Sequence, residues 1–155
     1  MGDHESMAMW QGYGGGPYGV AIRSAFGILD AVLPEKLTPT LETPIFLGRV
    51  RYLDHSSDTE RVPNENNLYA PFLCKSVAYQ HESEIRAVFA DLPGGMGGTG
   101  RLGFFVPVDL SSLVDNVTIS PLSPSWFHDV VQQTCQRFGF DFKITSSIVG
   151  ASPIF

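Results

Sequence analysis

Glycine and proline interrupt this chain so often that it cannot be built from long elements. There are 16 Gly and 11 Pro in 155 residues, and each tends to end or bend a helix or strand. Short strands and short helices joined by many turns are the expected result. The length suits one domain with a real core rather than two comfortable ones. Apolar residues make up 43% and charged residues 17%, a globular and charge-poor composition.

Charge and motif content exclude several classes. The net charge is −6 and no Lys/Arg block occurs, so no extended nucleic-acid surface is expected, since phosphate binding needs clustered cations. A small polar ligand such as a nucleotide stays open. No apolar run approaches the roughly 18 residues of a membrane span, and the acidic, polar start "MGDHESMAMW" is no signal peptide. Cys74 and Cys135 stand far apart, so a reducing cytoplasm is the simpler setting. "MGDHES" fits a loose myristoylation pattern and "NVT" at Asn116 a glycosylation sequon, both short enough to match by chance.

Hydrophobic periodicity gives the elements. A short helix is predicted over 4–12, ended by "GYGGGP". "YGVAIRS" (18–24) reads as a strand, with Tyr18, Val20 and Ile22 on one face and Ala21 and Arg23 on the other. Ser24 is positioned to cap a helix carrying Phe26, Leu29, Val32 and Leu33, stopped by Pro34. "IFLGRVRYLD" (45–54) reads as one strand, 55–66 as a mobile polar loop, and "NLYAPFLC" as holding a helical turn. Strands are predicted at 83–90, 102–109, "NVTIS" and "FKITSSIV", with a turn of helix in "LSSLVD". "SPSWFHDVVQQTCQRFG" is the clearest helix. Ser123 fits its cap, Pro124 its first position and Gly139 its stop, with Trp126, Phe127, Val130, Val131, Cys135 and Phe138 as an apolar stripe. The class expected is α+β: a single domain over 1–155, with a mixed, mostly antiparallel sheet and about three helices.

The segment "YQHESEIRAVF" (79–89) holds the main candidate site. In the strand predicted at 83–90, Ser83, Ile85, Ala87 and Phe89 face the core, while Glu84 and Arg86, and Glu82 if the strand extends that far, face away. Cross-strand Glu–Arg pairs on a wet sheet face account for that pattern. A catalytic Glu-x-Glu accounts for it too, because paired carboxylates drive their pKa values apart and leave one as an acid. Arginine-modifying ADP-ribosyltransferases carry such a pair, with an arginine for which Arg23 could stand; here "TSS" (145–147) follows the acids instead of preceding them. Metal-dependent nucleases want Glu-x-Lys, and Arg86 is a poor substitute for a catalytic lysine.

Other motifs carry less. Gly98-Thr99-Gly100-Arg101-Leu102-Gly103 fits G-x-G-x-x-G, but a strand-like segment follows it where a phosphate loop needs a helix. It reads as a long hairpin connection. His4, His55, His81 and His128 lack metal-ligand spacing, so the sequence gives no metal site and names no cofactor. Trp10 and Tyr13 could line a ligand pocket or simply pack as core aromatics.

Several segments together, "ESMAMWQGYGGGPYGVAIRS", "GRVRYLD", "FLCKSVAYQHESEIRAVF", "VPVDLSSLVDNVTISPLSPSWF" and "SSIVGASP", resemble the bacterial and phage-associated family called domain of unknown function 2971. Trp10-x-x-Tyr13, Lys75 and Glu82-x-Glu84-x-Arg86 carry most of the resemblance. Members of that family usually have a strand-bearing segment ahead of the tryptophan, so the resemblance implies a shortened member or one with a late start, with an incomplete site or an uncovered sheet edge if that segment is missing. Such an edge invites self-association.

The reading these features support is a non-catalytic or catalytically incomplete domain that binds a small polar ligand or a protein partner. The alternative is a nucleotide-acting enzyme, ADP-ribosyltransferase-like or nuclease-like. There Glu82 and Glu84 would be the catalytic carboxylates, Arg86, Lys75 and Arg23 would hold phosphate, and Trp10 and Tyr13 would line the site.

Overall fold

A computed structural model of the chain describes residues 5–38, 41–54, 56, 67–90, 103 and 105–149. In chain order the elements are α1 (Met7–Tyr13), β1 (Val20–Arg23), α2 (Phe26–Val32), β2 (Lys36–Thr38), β3 (Leu41–Pro44), β4 (Phe46–Arg49), β5 (Arg51–Leu53), β6 (Cys74–Ser76), β7 (Ile85–Val88), α3 (Leu110–Leu113), β8 (Asn116–Ile119), α4 (Trp126–Arg137) and β9 (Ile144–Ser146). Short 3-10 turns occupy Gly16–Tyr18, Ala70–Leu73 and Val77–Glu82. The class is α+β. Among the described residues, three of the five strand pairings are antiparallel and two are parallel. No helix among the described residues is long and apolar enough to cross a membrane.

The chain gathers into two compact units, Leu33–Pro107 and Gly2–Val32 with Val108–Phe155. In the unit Leu33–Pro107, β4 pairs antiparallel with β7, and the Val50 amide extends that ladder by donating to the Glu84 carbonyl at 2.9 Å. The chain then changes partner: β5 runs parallel to β6, with Tyr52 opposite Lys75. The single strand predicted over 45–54 is therefore two strands meeting at Val50. The switch point is the core of this unit, where Val50 is 4% and Leu53 1% exposed. β2 and β3 form a separate pair.

In the other unit β8 is the central strand of the order β1-β8-β9, antiparallel to β1 and parallel to β9. Flanked on both sides, it is buried at all four positions. Asn116 satisfies its amide nitrogen by donating to Thr145 Oγ1 on β9 at 2.8 Å. That burial removes the Asn116 sequon as a sugar acceptor. The stop of α4 follows the predicted chemistry: Gly139 takes φ 80, Phe140 N–H donates to Cys135 O and Gly139 N–H to Gln136 O. These are the paired bonds of a left-handed glycine cap.

Several predicted boundaries shift for identifiable reasons. Gly15 and Gly16 take positive φ and wind residues 16–18 into a turn, so β1 starts only at Val20. Residues 103 and 105–109 carry no strand. Asp109 instead caps α3, accepting from the Ser111 amide at 3.0 Å and the Ser112 hydroxyl at 2.5 Å. Ser123 does not cap α4; its hydroxyl donates to Pro17 O, and the helix begins after Ser125. Ser24 caps nothing, its buried hydroxyl having no hydrogen bond among the described residues. The last strand is confined to Ile144–Ser146. The apolar stripe of α4 is narrower than predicted. Phe127, Val131 and Cys135, one turn apart, are half-buried, while Trp126, Val130 and Phe138 are exposed. The loop predicted at 55–66 and the glycine motif lie outside the described residues, apart from Ser56 and Gly103.

Leu53 is the most enclosed side chain at the switch between β4 and β5. Leu53→Ala should destabilise the protein by about 2–5 kcal/mol through lost burial and the cavity left behind, read from the denaturant midpoint of unfolding.

Candidate functional site

The strand predicted at 83–90 is present but shorter, Ile85–Val88, and does not reach Glu82. Val77–Glu82 forms a 3-10 turn after β6, started by Ser76, whose hydroxyl accepts from the Ala78 amide at 3.4 Å. Ser83 then takes a left-handed conformation, φ 47, and β7 begins only at Ile85. Ser83 thus redirects the chain so that Glu82 and Glu84 converge without sharing a strand face. The predicted division into a core face and a wet face also fails. Ala87 is exposed and Ile85 half-buried, while the Glu82 side chain is only 5% exposed. The carboxylate is drawn inward because a cation waits there.

That cation is Lys75 on β6. Its Nζ bonds closely to Glu82 Oε2 and lies 3.5 Å from Glu84 Oε2. Glu84 in turn accepts two bonds from Arg86: Nε to Oε1 at 2.6 Å and Nη2 to Oε2 at 3.0 Å. This is the two-pronged geometry in which guanidinium and carboxylate match best. The remaining Arg86 prong, Nη1, donates to the Phe72 carbonyl at 2.6 Å. Tyr52 accepts the Glu84 amide on its hydroxyl at 2.8 Å, and the Tyr79 ring lies 4.6 Å from Lys75 Nζ. Charges alternate along the chain Arg86–Glu84–Lys75–Glu82, and the four sum to zero.

The electrostatics follow from this geometry. The hydrogen bond from Arg86, helped by the charges of Arg86 and Lys75 and opposed by burial, holds the Glu84 carboxyl below the usual glutamate range. The same bond pushes the Arg86 guanidinium up, against the pull of desolvation. A general acid at neutral pH needs the opposite shift. Glu84 is ionised, and both its oxygens already accept hydrogen bonds.

Of the predicted site residues, the structure brings together Lys75, Glu82, Glu84 and Arg86. Trp10, Tyr13 and Arg23 belong to the other unit. There Arg23 Nε lies 3.5 Å from Asp115 Oδ2 at the surface. Trp10 donates its indole N–H to Glu5 at 3.1 Å, and Tyr13 is exposed. His81 sits exposed at the end of the 3-10 turn. Tyr52 and Tyr79 were not singled out from sequence as site residues. Tyr52 meets the site only through the parallel register of β5 on β6, which no local pattern encodes. Tyr79, three residues before Glu82 in a 3-10 turn, could have been found from the i, i+3 eclipse of such turns. No group of three His, Cys, Asp or Glu side chains among the described residues could hold a metal ion. Comparison with protein-family models, curated proteins and solved structures finds no match to this chain.

Two outcomes follow for stability. Lys75→Met leaves the enclosed Glu82 carboxylate without its cation and should cost about 3–5 kcal/mol, much of it recovered on adding Glu82→Leu; chemical denaturation of the two variants checks this. Glu84 has its carboxyl lowered in the folded state, so its contribution is present above the ordinary glutamate range and is lost as pH falls through the folded value. The thermal midpoint should fall in that acid window, and less steeply in Glu84→Gln.

Proposed function

We propose that this chain is a non-catalytic binding domain with a protein partner, a second copy of the chain included, and that the Lys75–Glu82–Glu84–Arg86 network is a structural clamp. The observation that carries the partner reading is the surface of the unit containing β8. Tyr18 and Trp126 pack together at 5.8 Å between centroids, with Phe127 against both, yet Tyr18 is 60% and Trp126 54% exposed. Ile22, Leu122 and Phe138 are exposed in the same unit. A contiguous aromatic surface open to water is costly for a free protein and favourable at an interface.

The closed network supports the non-catalytic half of the reading. Each carboxylate faces a cation of its own cluster, so a ligand phosphate or a substrate proton would have to displace an internal partner. The convergence of Lys75, Glu82, Glu84 and Arg86 is also what the resemblance to the bacterial family of domain 2971 leads one to expect, and membership in that family belongs to this proposal. A reducing cytoplasm is the setting we assign, in keeping with the two free cysteines, Cys74 and Cys135.

Incubation with labelled NAD, nucleoside triphosphates and single-stranded nucleic acid should give no turnover in the wild type or in Glu84→Gln. Turnover by the wild type that Glu84→Gln abolishes would overturn the reading and restore the nucleotide-acting alternative.

A further inference from the structure

We infer that β1 is the edge through which two copies of this chain pair, antiparallel and about a two-fold axis at Ala21; this rests on the partner-binding reading above. β1 ends the order β1-β8-β9, and among the described residues no strand lies on its outer side. All four of its residues are exposed.

Hydrogen-bond parity decides which backbone groups face outward. Ser120 N–H donates to Gly19 O and Asp115 N–H to Arg23 O, both at 3.0 Å. Residues of an antiparallel strand alternate in this respect, so Gly19, Ala21 and Arg23 turn their peptide groups to β8. Val20 and Ile22 turn theirs away from β8, two donors and two acceptors that pair with no strand among the described residues. Their side chains share a face with Ile119 and Val117 of β8, opposite them in register.

Edge strands usually carry a lysine, a proline or a bulge that discourages pairing. Val20-Ala21-Ile22-Arg23 has none, its register on β8 is unbroken, and its one charge is paired with Asp115. In a chain of net charge −6, this is a neutral place of approach.

The sequence of the edge selects a second copy as the occupant. Val-Ala-Ile reads almost the same in reverse. With the axis at Ala21, Val20 meets Ile22 of the second copy and Ile22 meets its Val20, as hydrogen-bonded pairs using the outward groups. Ala21 meets Ala21 as a pair without hydrogen bonds, where small side chains suit the closer approach. Each Arg23 falls opposite a Gly19, whose side-chain position is taken by the Gly14 carbonyl, and the two arginines lie at opposite ends. The pairing joins two three-stranded sheets into one of six, with Val20, Ile22, Val117 and Ile119 continuous on one face.

Sedimentation equilibrium of the full chain should show a dimer. Ile22→Lys, which places a charge on an exposed edge position, should give a monomer with an unchanged circular dichroism spectrum. Ala21→Cys places two thiols at a Cα separation of about 4.5 Å, inside the range a disulfide spans. Mild oxidation should therefore link it into a covalent dimer, whereas the wild type, with the same Cys74 and Cys135, and Arg23→Cys should not link. A monomeric wild type, a dimer that persists in Ile22→Lys, or no more linking in Ala21→Cys than in wild type overturns the pairing. If Ile22→Lys does not fold, the oxidation result decides. None of these failures touches the non-catalytic reading, which falls only to Glu84-dependent turnover.

Discussion

The Lys75 ammonium, held between two glutamates, fixes the arrangement of the unit around β4–β7. Glu82 is almost wholly enclosed, and a carboxylate taken from water without a counter-charge would cost several kcal/mol. Lys75 answers that cost from β6, and it reaches Glu84 as well. Glu84 then orients Arg86, and Arg86 reaches back to the Phe72 carbonyl in the turn before β6. The loop of interactions closes on itself: turn, β6, 3-10 turn and β7 are tied by side chains where the backbone supplies only short ladders. With Gly and Pro limiting strands to three or four residues, such ties do what longer sheets do in other proteins.

The same network is the ground for proposing a structural role over acid–base chemistry. Two carboxylates that compete for one proton need to face each other through a low dielectric. Here a cation stands between them, and each charge is answered within the cluster. The Glu84–Arg86 hydrogen bond lowers the Glu84 carboxyl and raises the Arg86 guanidinium, which favours the charged form of both. A site meant to exchange protons or take a phosphate would leave at least one of these groups under-coordinated. In the unit around β8 the balance differs: a buried central strand has an exposed edge strand, and Tyr18 and Trp126 are exposed, the surfaces on which the proposed contact with another chain rests.

How much of this was legible in the sequence depends on the range of the interactions. The strand Asn116–Ile119, the helix of "SPSWFHDVVQQTCQRFG" and its Gly139 stop were readable because local pattern and local chemistry agree there. The grouping of Lys75 with Glu82, Glu84 and Arg86 was visible as a list of residues. The conformation was legible only in part: the predicted strand is there as Ile85–Val88, but Glu82 lies in a 3-10 turn and Ser83 is left-handed. Period-2 spacing of charges cannot distinguish those cases, because what draws Glu82 inward is Lys75, seven residues away. Likewise the break at Val50 and the approach of Tyr52 arise from a change of strand partner, and pairing is not written in any one strand. The predicted strand at 102–109 was apolar enough, but Asp109 spends its carboxylate on the cap of α3.

The central claim is that Glu84 is held ionised at neutral pH by the Arg86–Glu84–Lys75–Glu82 network. Carbon-detected NMR titration of the Glu84 side-chain carboxyl tests it most directly. The account predicts a midpoint below the ordinary glutamate range that moves up toward that range in Arg86→Gln. A midpoint at or above that range in the wild type, or one indifferent to the loss of Arg86, would contradict it.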